Sequence, residues 1–502
     1  MTAVQNLPEV QLSELLAGHA IVSPGHDCVV RNITCDSREV AVGDCFFALP
    51  GHQHHGLEFA RQAAAQGAAA IVTETHDQQH ALDIPVISVP GLRTLIGELS
   101  ARFFRHPSDD VRIFAVTGTN GKTTVAHLAA QAFEALGDGC GYIGTLGAGR
   151  LGRLKETSNT TPDVTTLNRL LAEFRDDGLT LAALEASSHA LDQGRLAALG
   201  LHTAIFTNLG HDHLDYHENL VAYGKSKLSL FTTGNLKAAV INVDDTFATK
   251  VRAAIPAAVD IWTCSSGSNA HPVRSDARVS AHNIETSQVG IAFEIRADGD
   301  LQRVNIPIIG RFNVDNLLAT CAILLSAGYR FEDACRALEC VEPVAGRMEL
   351  CGTTNRGVRV FIDYAHTPDS VAAALQALRD LTPLSLSIVF GCGGNRDQSK
   401  RPLMGAAAAL QADHIYVTTD NPRDENHRAI ADAVVAGIAD LTHTQVILDR
   451  EQAIRSAIAS GNAGDIVLIA GKGHEAYQER EGTRHHFSDR EVALSVIAES
   501  CQ

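Results

Sequence analysis

Two short stretches of this 502-residue chain combine residue types and spacings that can do chemistry. In the first, Gly118-Thr119-Asn120-Gly121-Lys122-Thr123-Thr124 follows the apolar run Ile113 to Thr117 and leads into residues spaced for an amphipathic helix. A strand, a glycine turn and a Lys-Thr pair at a helix start form a phosphate site. Backbone N–H groups and the helix dipole face the anion, Lys122 reaches the outer phosphates, and Thr123 can ligate Mg²⁺. The usual pattern has a glycine five residues before Gly121; here Val116 stands there and Gly118 lies inside the loop. The second stretch is Asp420-Asn421-Pro422-Arg423. Pro422 stiffens a turn, and Arg423 offers a planar guanidinium suited to bidentate pairing with a carboxylate. Arg396, in Gly394-Asn395-Arg396-Asp397, adds a second cation, and Gly471 and Glu475, in AGKGHE, can accept an ammonium group. A surface turn with a capping Asp is the plainer reading of the second stretch, and its surroundings argue against it.

Those surroundings are an alternation of strands and helices. Strands are expected at Val358 to Ile362, Leu386 to Phe390, His414 to Thr418, Val446 to Leu448 and Ile466 to Ile469, with helices such as Ser370 to Leu381 and Ala429 to Leu441 between them. Four of these strands run into DYAHTPD, GCGGNRD, TDNPRDE and AGKGHE. Parallel sheets bind ligands beyond the carboxyl ends of their strands, so four special loops on one edge locate an acceptor site. Upstream, the helix after the phosphate loop carries Val125, Leu128, Ala129, Ala132 and Phe133 on one face, and Gly137 is its expected stop. Apolar runs at Leu179 to Leu184, Thr203 to Thr207 and Ala238 to Val243 complete a mostly parallel sheet. Before it, GDCFFALPG reads as a strand and turn, QAAAQGAAAIVTE as a helix entering a strand, and His106 to Asp110 as a polar linker. The expected fold class is α/β with three domains, at residues 1–110, 111–345 and 346–502: a small α/β domain, a central phosphate-loop domain and a Rossmann-like domain.

The formal net charge of −17 excludes the broad basic surface that a nucleic acid would require. Charged residues at 20% and hydrophobic residues at 45% are those of an ordinary globular protein. No apolar run approaches the roughly 18 residues of a membrane span, and MTAVQNLPEV has neither the basic run nor the apolar core of a secretory signal. Eleven cysteines without a CxxC pair fit reduced thiols in a cytoplasm, mostly as small core residues.

Further blocks stand in order along the chain: NTTPD at Asn159 to Asp163, EASSHAL at Glu185 to Leu191, NLGHDHLDYH at Asn208 to His217, GRFNVDN at Gly310 to Asn316, GRMEL at Gly346 to Leu350 and DYAHTPD at Asp363 to Asp369. With TGTNGKTT at Thr117 to Thr124, they resemble the Mur ligase family over essentially the whole chain. The resemblance implies a ligase that uses ATP and Mg²⁺ to join meso-2,6-diaminopimelate to the D-glutamate of UDP-N-acetylmuramoyl-L-alanyl-D-glutamate. The bond would form through an acyl phosphate, in peptidoglycan precursor synthesis. A cytoplasmic monomer is expected, with UDP-substrate, ATP and amino acid each bound mainly by one domain.

Residue by residue, the resemblance implies Lys122, His213 and Lys227 as catalytic, with Lys227 carried as a carbamate. Thr123, Glu185, His213 and that carbamate would hold the metal. Asn313 and Asn316 resemble adenine-site residues, and Arg347 and Asp363 those meeting ATP phosphate and ribose. Cys35, Ser37, His52, Gln53 and His54 fall where the uridine nucleotide is held, although His55 stands where an acidic residue is common. Asn159, Thr160, Thr161, Ser187, Gln193 and Arg195 resemble the residues that hold the muramoyl dipeptide. Asp420, Asn421, Pro422, Arg423, Arg396, Gly471 and Glu475 would bind diaminopimelate, whose extra carboxylate relative to lysine calls for a fixed cation. Read without the resemblance, Lys227 is a solvated helix lysine and His213 a packing or surface residue in a segment crowded with His and acids.

Three other readings stay open at this level. A lysine-adding muramyl ligase is disfavoured by Arg423. A folylpolyglutamate synthetase-like ligase should lack the DNPR and EASSHAL blocks. A non-catalytic nucleotide switch needs neither a His–Lys metal set nor an acceptor site.

Overall fold

The computed structural model describes residues 8–51, 54–75, 82–267 and 272–500. The chain forms two compact units, Met1–Ala115 with Asp138–His202 and Thr233–Leu236, and Val116–Gly137 with Thr203–Thr232 and Lys237–Gln502.

In the first unit, Asn32–Thr34, Asp44–Ala48, Ala70–Thr73 and Val86–Ser88 pair in that order as a parallel sheet. The inward residues Ile33, Cys45, Phe47 and Val72 form a core with Leu99 and Phe103 of the helix Leu92–Phe103. Val164 and Ala172 of the helix Val164–Asp176 pack into the same core. That helix is amphipathic and is started by Asp163, whose carboxylate accepts from the N–H groups of Thr165 and Thr166. The strand Leu181–Glu185 pairs parallel to Cys140–Gly144, which turns back antiparallel into Gly147–Arg150. The expected linker at His106 to Asp110 is corrected: Pro107–Asp110 is a helical turn with buried Pro107 at its first position, where a missing N–H costs nothing.

In the second unit the helix Lys122–Ala135 follows the phosphate loop, and Gly137 closes it at φ 90°, as the sequence predicts. Thr203 to Phe206 pairs parallel with Ala238–Asn242, which pairs parallel with Asp260–Ser265. The strands Val279–Ser287, Gly290–Ala297 and Asp300–Ile306 extend this sheet as an antiparallel meander. Beyond it, a six-stranded sheet among the described residues has the order Glu349–Thr353, Arg359–Asp363, Ile466–Ala470, Leu386–Phe390, His414–Val417, Thr444–Val446. All its pairings are parallel except the first. Apolar clusters fill both faces, one around Phe361, Leu375 and Leu468 and the other around Val360, Ile454 and Ile469. Two expectations here are corrected. The helix His427–Val435 stops short of Leu441, and just past its end Gly437 passes so close to Pro402 that a Cβ there would lie 1.8 Å from the carbonyl oxygen. The last edge strand is Thr444–Val446, two residues earlier than predicted. Among the described residues no helix is long and apolar enough to cross a membrane.

Candidate active site

The phosphate loop is tied to the segment after Phe206 by a dense set of bonds. Thr119 N–H donates to Asn208 O, and Asn120 N–H to Asn208 Oδ1, both at 2.9 Å. Thr207 Oγ1 donates to Asn120 O at 2.6 Å. A Cβ on Gly118, at φ 156°, would lie 1.8 Å from Thr207 Oγ1, and one on Gly121, at φ 87°, 2.6 Å from Asn316 Oδ1. The glycine displaced from position 116 to 118 is therefore fixed by the neighbouring Thr207. Lys122 Nζ donates to Gly118 O and Thr119 O at 2.9 Å, and Arg347 Nη2 donates to Thr123 Oγ1 at 3.1 Å.

Lys227 is not the solvated lysine that its helix suggests. It is 1% exposed, its Nζ donates to Gly118 O at 2.8 Å, and it lies 4.2 Å from the Tyr223 ring centroid. Burial, together with the neighbouring Lys122 cation, holds its pKa well below the ordinary lysine value. His213, in the left-handed region at φ 56°, has Nε2 3.3 Å from Asp212 Oδ2. Asp212 is a residue the sequence reading left out of the site. It is 4% exposed, with Lys400 Nζ 3.2 Å and His366 Nε2 3.4 Å away. Burial alone would raise its pKa, but His366, His213 and Lys400 hold it well below the usual carboxylate range.

The implied adenine residues form a buried pair: Asn316 Nδ2 donates to Asn313 Oδ1 at 2.8 Å and Asn313 Nδ2 to Ile309 O at 2.7 Å. Asp363, implied at the ribose, has both oxygens bound by backbone, accepting from Met348 N–H at 2.6 Å and Ala365 N–H at 2.7 Å. Burial raises its pKa, and its evident work is to organise the turn beside Arg347, whose guanidinium stacks 4.3 Å from the Tyr364 ring.

In the first unit, a cleft of about 1070 Å³ is lined by Cys35, Ser37, His54, Asn159, Gln193 and Arg195, all named by the sequence reading. His52 and Gln53 lie outside the described residues. Thr160, Thr161 and Ser187 stand off the lining in a hydrogen-bond network. Thr161 Oγ1 donates to Glu185 O at 2.6 Å, and Thr145 Oγ1 links Thr160 at 3.1 Å to Glu185 Oε2 at 3.1 Å. Arg195 donates to Gln193 Oε1 and, at 2.6 Å, to Thr161 O, so it braces the loop as well as facing the cleft. Burial and the nearby Asp163 carboxylate push the Cys35 thiol up, which makes it a packing and donor group. Four cations on the same lining, Arg38, Arg93, Lys155 and Arg169, escaped the sequence reading because none belongs to a motif.

Hard oxygen donors are what Mg²⁺ takes. Glu185 supplies them: it is fully buried, with Oε1 accepting from Tyr142 Oη at 2.6 Å and Thr145 N–H at 2.8 Å, and Oε2 from Thr145 Oγ1. A carboxylate is the hard, oxygen-only donor that Mg²⁺ takes, so the chemistry of the residue fits a metal ligand. Thr123 supplies a hydroxyl in the second unit.

The loops GGNRD, DNPR and GKGHE meet at the carboxyl edge of the six-stranded sheet. A Cβ on Gly393 would lie 3.2 Å from Arg423 Nη1 and 3.6 Å from Arg396 Cγ, so both side chains pass this glycine, and Arg396 Nη1 lies 4.0 Å from Asp215 Oδ2. Asp420 Oδ2 would lie 2.7 Å from a Cβ on Gly471. Glu475 Oε2 accepts from Asn421 Nδ2 at 2.9 Å and Lys472 Nζ at 3.3 Å. Lys472, fully buried, also donates to Asn421 Oδ1 at 3.1 Å and holds the DNPR and GKGHE loops together. Its place inside AGKGHE was the signal that could have found it.

Family models match the chain in three stretches: the Mur ligase family catalytic domain over residues 29–104, the Mur ligase middle domain over 116–324 and the Mur ligase glutamate ligase domain over 346–473. The chain is 44% identical over 488 residues to a UDP-N-acetylmuramoyl-L-alanyl-D-glutamate–2,6-diaminopimelate ligase of Xanthomonas oryzae pv. oryzae, covering 97% of each chain. It is 41% identical over 474 residues to the like-named ligase of Pseudomonas aeruginosa, covering 94% of this chain and 96% of that one. A solved structure of a ligase of that name superposes with a TM-score of 0.69 at 35% identity, covering 99% of this chain and 100% of that one. Folylpolyglutamate synthase of Mycobacterium tuberculosis, solved with ADP and AMPPCP, shares the fold at a TM-score of 0.61 and 18% identity, covering 75% of this chain and 91% of that one.

Proposed function

The chain belongs to the Mur ligase family, and from that premise we propose that it joins an amine of meso-2,6-diaminopimelate to the side-chain carboxylate of D-glutamate in UDP-N-acetylmuramoyl-L-alanyl-D-glutamate, with ATP. The observation that carries this reading is the acceptor edge, where the Arg423 and Arg396 side chains pass Gly393 while Asp420, Asn421 and Glu475 gather around buried Lys472. Two cations for a carboxylate beside acidic groups for an ammonium suit the far end of diaminopimelate and leave lysine without a partner for the arginines.

In the proposed reaction the D-glutamate carboxylate takes the γ-phosphoryl group of ATP, the amine attacks the acyl phosphate, and the tetrahedral intermediate expels phosphate. Lys122 and the loop N–H groups neutralise the phosphates, and Asn313, Asn316, Arg347 and Asp363 shape the nucleotide site. Cys35, Ser37, His54, Asn159, Gln193 and Arg195 seat the UDP-linked substrate. Mg²⁺, when bound, would supply charge neutralisation at the transferred phosphoryl group, and in the second unit Thr123, His213 and a Lys227 carbamate would hold it. A carbamate needs an uncharged amine to add to CO₂, and the burial that lowers the pKa of Lys227 favours that form. The enzyme so read works as a cytoplasmic monomer of three functional regions, 1–110, 111–345 and 346–502. The test is product formation from ATP and UDP-N-acetylmuramoyl-L-alanyl-D-glutamate, with diaminopimelate against lysine. Equal use of lysine would overturn the acceptor assignment.

A further inference from the structure

Arg423 sits at φ 51°, an unfavourable backbone conformation for a residue with a side chain. A hairpin of Tyr477–Arg480 and Thr483–His486 offsets that cost by pairing with the loop. Arg423 N–H donates to Glu479 O at 3.1 Å, and Glu481 N–H donates to Arg423 O at 3.0 Å. Glu479 N–H donates to Asn421 Oδ1 at 3.0 Å, and Gln478 Nε2 reaches Thr419 O and Asp420 O at 3.3 and 3.2 Å. The hairpin therefore acts as a side wall that holds the DNPR loop by its backbone.

One side chain of that wall reaches the guanidinium itself. Glu479 Oε2 lies 3.3 Å from Arg423 Nε, while Arg423 Nη1 donates to Gly394 O at 2.7 Å. Two corners of the planar group are thus fixed by two different loops, and Nη2 has no partner among the described residues. Both side chains are partly buried, at 21% and 26% exposure, so the pair is shielded from full solvent screening. An arginine in such a setting loses less rotamer freedom on binding, because its plane is already set.

Resting on the reading of Arg423 as the contact for the distal carboxylate of the acceptor, we infer that Glu479 is a positioning residue for amino-acid selection, holding the Arg423 guanidinium with its Nη edge presented to that carboxylate. It touches the arginine and not the substrate, so its effect belongs to one ligand. The Michaelis constant for a dicarboxylate acceptor should depend on it. The constants for ATP and the UDP-substrate should not, and neither should the weak use of lysine, which has no carboxylate at that end.

The experiment is steady-state kinetics of the full-length enzyme with Glu479→Ala, Glu479→Gln and Arg423→Ala. Glu479→Ala should raise the diaminopimelate Michaelis constant about fivefold with little change in kcat, the size expected for leaving one long side chain unordered. Glu479→Gln keeps an acceptor oxygen at the same reach and should stay within about twofold of the parent, a rescue that a merely structural contact to the hairpin backbone would not predict. The inference is overturned if Glu479→Ala leaves that constant unchanged or lowers it while Arg423→Ala raises it. It is also overturned if the Gln variant rises as far as the Ala variant, or if lysine use falls in parallel. If Arg423→Ala itself leaves diaminopimelate binding intact, the acceptor reading fails first, and the two failures are told apart within one set of assays.

Discussion

At the scale of single residues, three changes separate the proposed roles. Lys122→Ala removes a cation from a loop and no core packing, so the protein should fold while ligase turnover drops on the order of 100-fold or more; near-parental turnover in a folded variant would end the phosphate-loop assignment. Lys227→Ala should abolish turnover at saturating ATP, with partial return when formate or acetate is added, since a small carboxylate can enter the space of the carbamate. Failure of every short carboxylate and full activity in CO₂-free buffer would argue for a plain buried lysine. Arg423→Ala should raise the diaminopimelate Michaelis constant at least about tenfold, the worth of a charge-assisted contact, with the ATP constant unmoved. These residues differ in how far the sequence revealed them. Lys122 is legible from its motif because a phosphate site needs that local order of residues. Arg423 is legible from its strand-end placement. Lys227 is not: a lysine on a helix reads as solvated, and its contact with the Gly118 carbonyl comes from 109 residues away in sequence. Asp212 escaped for the same reason, its cations coming from His366 and Lys400.

At the scale of elements, the strands of the six-stranded sheet are legible because their apolar runs are continuous, whereas the helix His427–Val435 ends earlier and the edge strand Thr444–Val446 begins earlier than periodicity predicts, and the close approach of Gly437 to Pro402 just past that helix is a tertiary contact that periodicity does not encode. Nor does periodicity announce the pair Arg450–Asp489. Both side chains are fully buried and meet at 2.7 Å, and Arg450 also donates to Ala470 O at 2.8 Å, fixing the exit of a strand that leads into GKGHE. Arg450→Met should cost about 3–5 kcal/mol of stability, because it leaves Asp489 charged and alone in the core; a loss below about 1 kcal/mol in urea unfolding would mean that water reaches the pair. The helix Lys122–Ala135 carries a pH-dependent element. Burial, helped by Arg347, lowers His127 from 6.5 to about 4. The folded state then resists protonation that the unfolded state accepts, so this contribution to stability is present above pH 6.5 and is lost as pH falls toward 4. His127→Gln should therefore lose less stability than the parent between pH 7 and pH 5, and identical slopes in the two proteins would refute the assignment.

For the whole molecule, each compact unit carries its own proposed ligand surface, the cleft in the first and the phosphate loop with the proposed acceptor edge in the second. Hydrogen exchange should resolve them. The UDP-linked dipeptide should protect residues around Ser37 and Asn159, and a non-hydrolysable ATP analogue those around Gly118 and Asn316, each ligand adding about 2.7 kcal/mol at a hundredfold excess over its Kd. Protection of the Ser37 region by the nucleotide alone would contradict that division. The net charge of −17 means that anionic ligands must be held by local cations and backbone N–H groups rather than by a broad basic surface, an expectation legible from composition alone. The glycines of the phosphate loop have a further consequence, this time for the gene. Any side chain at position 118 would collide with Thr207, and any at 121 with Asn316. A single-codon change at either place thus damages the enzyme before it can exclude an inhibitor. A compound that makes its main contacts with the N–H groups of this loop would meet a surface that heredity can hardly edit.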